Sequence, residues 1–189
     1  MISKVKKNIF AIIGSASENS SNLRLVNKIA ALTQEHFRIT IFDSLALLPH
    51  FNAELSIEHT PQIILDFRET ILKADGILIC TPEYVFSIPS RLKNAIEWCV
   101  ATTVFSQKPL GIITASANGQ KGHDELKLIM KTVEANFTET TTLLIPGIKS
   151  KIDVEGKILD KQTHEKLSGF IESFKELVAN ATNSLYPVT

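Results

Sequence analysis

With 189 residues, 44% of them hydrophobic and 21% charged, the chain has the size and composition of one domain with a full core. Its 20 lysines and arginines balance its 20 aspartates and glutamates, so charge gives no reason to expect nucleic acid or an anionic membrane as partner. No apolar run approaches the roughly 20 residues of a membrane span, and the two cysteines, Cys80 and Cys99, are not the close pair that a redox dithiol or a zinc site needs.

Ile9-Phe10-Ala11-Ile12-Ile13 is a short continuous apolar run ended by Gly14, as expected of a strand buried on both faces. It is too short for a signal-peptide core and no small-residue cleavage pattern follows it, which predicts a cytoplasmic protein. Leu23, Val26, Ile29 and Ala30 recur at helical spacing. A second strand is expected at Arg38 to Phe42, a second helix on Ile63, Ile64, Phe67 and Ile71, and a third strand at Gly76 to Cys80. Leu92, Ala95, Ile96, Cys99 and Val100 have the spacing of a helix with one buried face. Pro89 belongs in its first turn, where a missing N–H costs nothing. Leu110 to Ala115 predicts a fourth strand, and Leu126, Ile129, Met130 and Val133 a fourth helix with Asp124 near its start as cap. A fifth strand is expected at Thr140 to Ile145, and a last helix on Leu167, Phe170, Ile171, Phe174, Leu177 and Val178. Two segments fall outside this alternation: a long loop from Asp43 to Glu58, and the polar stretch from Gly147 to Asp160, with a turn at Asp153 to Lys157.

Strands alternating five times with helices imply a parallel sheet covered on both faces. Right-handed crossovers then favour a flavodoxin-like three-layer doubly wound α/β fold with strand order 2-1-3-4-5, the whole of 1–189 forming one domain. Its switch point lies between strands 1 and 3, where the loops after strands 1, 3 and 4 share one sheet edge.

All three loops have unusual composition. Gly14 to Asn22 is rich in serine and asparagine and leads into a helix, a ready anion site for a single phosphate on Ser15, Ser20, Asn22 and backbone amides. It has neither a dinucleotide glycine spacing nor a phosphate-loop lysine. The alternative is that these side chains only cap the helix. In Thr81 to Ser87, Pro82 stiffens the chain and Tyr84 and Phe86 offer apolar surface to a planar ring; the alternative is a half-buried Tyr84 beside a solvated Glu83. Ser116 to His123 carries two glycines that let backbone approach a ligand, or else form a plain turn; His123 is a proton donor, or else a helix cap or a solvated residue. No nucleophile triad, carboxylate pair or metal site can be assembled from the spacing, so the three loops describe a seat for a cofactor that carries its own chemistry.

At these loops the sequence resembles the NAD(P)H-dependent FMN reductases, a flavodoxin-like family that includes quinone, chromate and some azo reductases. Gly14 to Asn22 is similar to that family's phosphate-binding pattern Gly-Ser-x-Arg-x-x-Ser-x-Asn. Pro82-Glu83-Tyr84 through Ser87-x-Pro89, and then Leu92-Lys93-Asn94-Ala95-Ile96-Glu97-Trp98, resemble its flavin loop and following helix most specifically. Leu48-Pro49-His50-Phe51-Asn52 and the third loop are similar more loosely, and the likeness runs from Asn8 to Val178. It implies FMN with its phosphate at Ser15, Ser17, Ser20, Ser21 and Asn22, and its ring against Pro82, Glu83, Tyr84, Val85 and Phe86. Its other edge would lie along Ser116, Asn118 and Gly119. NADPH or NADH would be the co-substrate and a quinone, free flavin or another oxidised small molecule the acceptor. No side chain is implied as catalytic, and the assembly would be a homodimer or a homotetramer.

The departures from the pattern matter. Ser17 stands where arginine is usual, Val85 where asparagine is common, Phe86 where a small or polar residue is frequent, and Ser90 where glycine is usual. They predict weaker FMN binding and a substrate pocket narrowed by Phe86. Two other readings compete: a flavodoxin-type FMN electron carrier that does not oxidise NAD(P)H, and an α/β domain without flavin. The neutral charge balance disfavours the carrier, which would present an acidic surface to its partners.

Overall fold

The computed structural model describes residues 5–15, 17 and 19–181. Five strands, β1 (Lys7–Ile13), β2 (Phe37–Phe42), β3 (Gly76–Thr81), β4 (Leu110–Ser116) and β5 (Thr142–Pro146), alternate with helices α1 (Ser21–Thr33), α2 (Gln62–Lys73), α3 (Ser90–Glu97), α4 (Gln120–Thr132) and α5 (Lys161–Asn180). The sheet is parallel throughout, in the order β2-β1-β3-β4-β5. This is the expected flavodoxin-like doubly wound arrangement.

Strand periodicity divides the core in two. Phe10, Ile12, Ile77, Ile79, Leu110 and Ile112 face α2, α3 and α4, where they meet Ile64, Phe67, Ile71, Leu92, Ile96, Leu126 and Met130. Ile9, Ala11, Ile13, Leu78, Cys80, Ile113 and Ala115 face α1 and α5, against Leu25, Val26, Ile29, Phe170, Phe174 and Val178. Alternate residues thus serve opposite layers, which is why the central strands read as unbroken apolar runs. Every residue of β3 is buried. Ile13 pairs with Cys80, Thr81 with Thr114, and Ser116 with Pro146. These pairs bring the ends of β1, β3 and β4 to one edge, and with them the three loops.

Four local expectations are corrected. Helix α3 ends at Glu97, so Val100 lies beyond it with 62% of its surface exposed. Pro89 is the residue before α3 and not in its first turn. Helix α4 begins at Gln120 with Gly119 before it (φ 95°), a conformation glycine adopts readily, and Asp124 sits one turn inside, accepting from Gln120 Nε2 at 3.0 Å. Thr140 and Thr141 belong to a 3₁₀ turn that precedes β5. The Asp153 turn forms as expected: Asp153 Oδ1 accepts from the N–H of Glu155 (2.9 Å) and of Lys157 (2.8 Å).

The long segment after β2 is held from outside. Asn94 Oδ1 accepts from Phe51 N–H at 2.7 Å, while Asn94 Nδ2 and Trp98 Nε1 both donate to Pro49 O, at 3.0 and 2.8 Å. Phe51 meets the Trp98 ring edge-on at 5.5 Å. Further along, the buried Arg68 donates to Ser56 O, Ser56 Oγ and Trp98 O, which ties this segment to α2 and the end of α3.

Candidate functional site

The loop after β1 owes its path to Gly14. A methyl group there would stand 2.2 Å from Thr81 Oγ1 and 3.2 Å from Leu92 Cδ2, so only glycine lets the chain leave β1 so close to β3 and α3. Ser20 then caps α1, its Oγ accepting from Leu23 N–H at 3.1 Å. Ser21 Oγ accepts from Arg24 Nη2 at 3.1 Å. Asn22 is buried: its Nδ2 donates to Ala115 O at 3.1 Å, and its Oδ1 accepts from Cys80 Sγ at 3.3 Å. Ser20 and Ser21 are thus bonded within α1, and Asn22 holds the start of the helix against β3 and β4. What the loop offers a ligand is the hydroxyl of half-buried Ser15, which accepts from Ser17 N–H at 3.2 Å, the exposed Ser17, and the N–H groups of Ser21 and Asn22, which donate to no described residue. Ala16 and Glu18 lie outside the described residues.

Pro82 is buried and Glu83 half-buried; Tyr84, Val85 and Phe86 are exposed, at 45%, 94% and 73%. Tyr84 and Ser87 exchange backbone hydrogen bonds of 2.9 and 3.0 Å, closing a two-residue hairpin with Val85 (φ 53°) and Phe86 (φ 60°) both in the left-handed region. Positive φ at both central residues of a two-residue hairpin is the mark of a type I′ turn, which asparagine followed by glycine suits best. A β-branched valine and a phenylalanine here are strained.

The turn is fixed at both ends by α4. Glu83 is not solvated: its carboxylate accepts from Gly119 N–H at 3.2 Å and Gly122 N–H at 2.7 Å, covering the N-terminus of the helix. In return Glu125 Oε2 accepts from Ser87 Oγ at 2.7 Å and Ile88 N–H at 3.0 Å. Ser116 Oγ reaches Glu83 O at 3.4 Å, joining the second loop to the third. Asn118 is exposed and Gly119 buried. His123 is buried with Nδ1 2.9 Å from Thr114 Oγ1; burial first, and Lys127 second, hold its pKa below the usual histidine range. It is a packing residue bonded to β4 and not an exposed proton donor.

Three features of this edge escape a reading of the sequence. Glu125 tethers the turn from a helix far along the chain, and a charged residue on an amphipathic helix gives no hint of it. Asp43 to Leu47, from the loop after β2, and Arg91, from α3, join Ser15 and Ser17 in lining a cavity of about 460 Å³. Among the described residues no cluster of histidine, cysteine, aspartate and glutamate could hold a metal ion, and no helix is long and apolar enough to cross a membrane. Both cysteines are buried; burial lifts the Cys99 thiol to about 12 and the Cys80 thiol further.

This edge suits a flat, phosphorylated ligand: N–H groups at a helix start that donate to no described residue, a cavity with three serines beside them, and an exposed aromatic turn across the switch point.

Comparison with known proteins agrees. Residues 7–149 match the NADPH-dependent FMN reductase family. An NADPH:quinone oxidoreductase of Arabidopsis thaliana is 30% identical over 176 residues, 88% of this chain and 89% of that protein. A quinone reductase of Escherichia coli is 27% identical over 180 residues, 92% and 96% of the two chains. Among solved structures, an NAD(P)H:(acceptor) oxidoreductase from Paracoccus denitrificans superposes with a TM-score of 0.73 at 22% identity, covering 93% of this chain and 98% of that one. An azoreductase from Bacillus anthracis shares the fold with a TM-score of 0.64 at 12% identity, covering 91% and 98%. The chain belongs to the NADPH-dependent FMN reductase family, so that FMN is its cofactor and NAD(P)H its electron donor, and the flavodoxin-type carrier reading falls away.

Proposed function

We propose that the chain is a quinone reductase, with FMN seated across the C-terminal edge of β1, β3 and β4. Ser15, Ser17 and the N–H groups of Ser21 and Asn22 hold its phosphate. Ser20 and the Ser21 and Asn22 side chains keep those groups in place. Pro82, Glu83, Tyr84, Val85 and Phe86 form the wall for the ring, and Ser116, Asn118 and Gly119 run along its other edge. The observation that carries this reading is the turn at Tyr84 to Ser87, rigidly tied to α4 yet presenting three exposed side chains beside the switch point.

Bound FMN supplies reversible two-electron chemistry between a nicotinamide and an oxidised acceptor. The protein positions and exposes. Glu83 is held by the N–H groups of Gly119 and Gly122, and the buried His123 by Thr114, so neither side chain is free to act on the acceptor. Relatives named quinone reductase and 2-hydroxy-1,4-benzoquinone reductase support a quinone as acceptor. Free flavin is the second substrate to examine.

The working form is a homodimer or homotetramer of one-domain chains in the cytoplasm, where nicotinamide donors are present; Val100 and Leu128 are exposed apolar side chains that a second copy would cover. Light scattering tests the assembly. The test of function is an absorption spectrum of purified protein, then anaerobic titration with NADPH and NADH and re-oxidation by benzoquinone. Yellow protein bleached by one nicotinamide and restored by quinone is the expected result. Colourless protein that takes up no FMN, or bound flavin that neither nicotinamide bleaches, refutes it.

A further inference from the structure

A phosphate monoester carries between one and two negative charges at neutral pH, and bonds from a cation hold it more firmly than neutral donors do. The loop from Gly14 to Asn22 has no lysine or arginine, and it contains Glu18. Among the described residues that line the cavity beside it, one side chain is cationic, and it comes from another element: Arg91, the second residue of α3. Arg91 lines the same space as Ser15 and Ser17.

Its position is fixed by its neighbour. Leu92, fully buried, lies so close to Gly14 that a methyl group there would touch it, so the first turn of α3 abuts the β1 loop. Arg91 itself is exposed and forms no ion pair with a described residue. Asp43 lines the cavity too, its Oδ1 accepting from Ser44 Oγ at 3.0 Å, and its charge opposes an anion. Without Arg91, Asp43 would be the one charge among the described lining residues.

We propose that Arg91 is the phosphate-binding cation of this chain, holding the FMN phosphate from α3 while Ser15 and Ser17 meet it from the loop. This rests on the reading that the phosphate lies at the β1 loop. Arg91 is a binding residue; it touches no reacting atom.

The experiment is a pair of titrations of flavin-free protein, with FMN and with riboflavin, which has the same ring and no phosphate. The native protein should bind FMN more tightly. Arg91→Met should weaken FMN binding about tenfold or more and leave riboflavin binding unchanged, with circular dichroism confirming an intact fold. Arg91→Lys should recover part of the loss, and Ser17→Arg placed in the Arg91→Met protein should recover FMN affinity from the opposite wall. Added salt should narrow the FMN-to-riboflavin ratio in native protein more than in Arg91→Met. A native preference for FMN that survives Arg91→Met, or equal losses for both flavins, overturns the assignment of Arg91 alone. Equal native affinity for FMN and riboflavin overturns the seat of the phosphate, and Arg91 with it.

Discussion

The strained turn makes a quantitative prediction. Val85 and Phe86 both occupy left-handed backbone, at φ 53° and 60°. For an L residue with a side chain this costs about 1–2 kcal/mol each, so the pair stores roughly 2–4 kcal/mol. Neither side chain recovers that by burial within the chain, since they are 94% and 73% exposed. Replacing them by asparagine and glycine supplies the residues a type I′ turn prefers. Glycine takes back about 0.5–1 kcal/mol through the entropy of the unfolded chain, and asparagine keeps part of the left-handed cost. The net expectation for Val85→Asn with Phe86→Gly is a stabilisation of about 1–2 kcal/mol, or a rise in Tm of roughly 2–8 °C for a chain this size. Thermal and urea unfolding of flavin-free protein, followed by circular dichroism, measures it. An unchanged or lower Tm would show that the apolar pair contributes packing to the free protein, and the strain argument would fail. Phe86→Gly alone carries a functional arm: kcat/KM across quinones of increasing bulk should change more than FMN affinity, because Phe86 is an exposed end of the wall and Pro82 to Val85 remain to hold the ring. The opposite outcome would move Phe86 into the flavin seat.

Other outcomes follow from the same contacts. Glu83→Ala leaves the Gly119 and Gly122 N–H groups without their carboxylate and should destabilise the protein by about 1.5–3 kcal/mol in urea unfolding; a loss too small to detect would mean that water replaces Glu83 fully. His123 titrates below the usual range in the folded protein, so below pH 6.5 the unfolded chain takes up the proton first. The stability tied to His123 is therefore full above pH 6.5 and declines as pH falls toward the folded value, and His123→Gln should flatten this part of the profile between pH 7 and 5. Cys80 and Cys99 should resist a disulfide reagent such as DTNB in native protein and react when guanidinium unfolds it, given their burial and raised thiol pKa values; rapid native labelling would show that the α3 end or the β3 layer opens readily.

Much of the fold was legible because buried parallel strands and one-sided helices leave regular apolar patterns. Ile9 to Ile13 and Gly76 to Cys80 read as strands directly, and the strand order followed from their number and alternation. The misplaced points are ones where periodicity continues past a structural stop. Val100 fits the α3 spacing, yet Cys99 N–H bonds to Ile96 O and Val100 N–H to Glu97 O, so tighter i to i+3 turns have taken over. Asp124 looked like a cap because nothing in Gly119-Gln120-Lys121-Gly122 offers a capping side chain; the cap is Glu83, supplied from a loop 36 to 39 residues earlier. A partner so remote leaves no local trace. The three loops could be located in sequence, but which atoms they offer could not: Ser20 and Asn22 look identical to ligand donors until their bonds to Leu23 and Ala115 are seen.

The segment from Cys80 to Trp98 thus divides by task, and α3 shows why its residues stand where they do. Over two turns the helix meets three different surroundings. Leu92, Ala95 and Ile96 fill the core beneath the sheet. Asn94 and Trp98, four apart and so on one face, clamp Pro49 to Phe51 and with them the far end of the segment that begins at Asp43. Arg91 points into the cavity whose other wall is Asp43 to Leu47. The helix therefore sets the width of that cavity with one face while it supplies the cation with another. Loosening the clamp should be felt at the phosphate, lowering FMN affinity while riboflavin, which has no phosphate, binds as before, since the guanidinium would remain and its distance to the opposite wall would vary. Asn94→Ala should therefore reduce the FMN-over-riboflavin preference part of the way that Arg91→Met does, and an unchanged preference would show that the clamp does not set the width of the cavity at the phosphate.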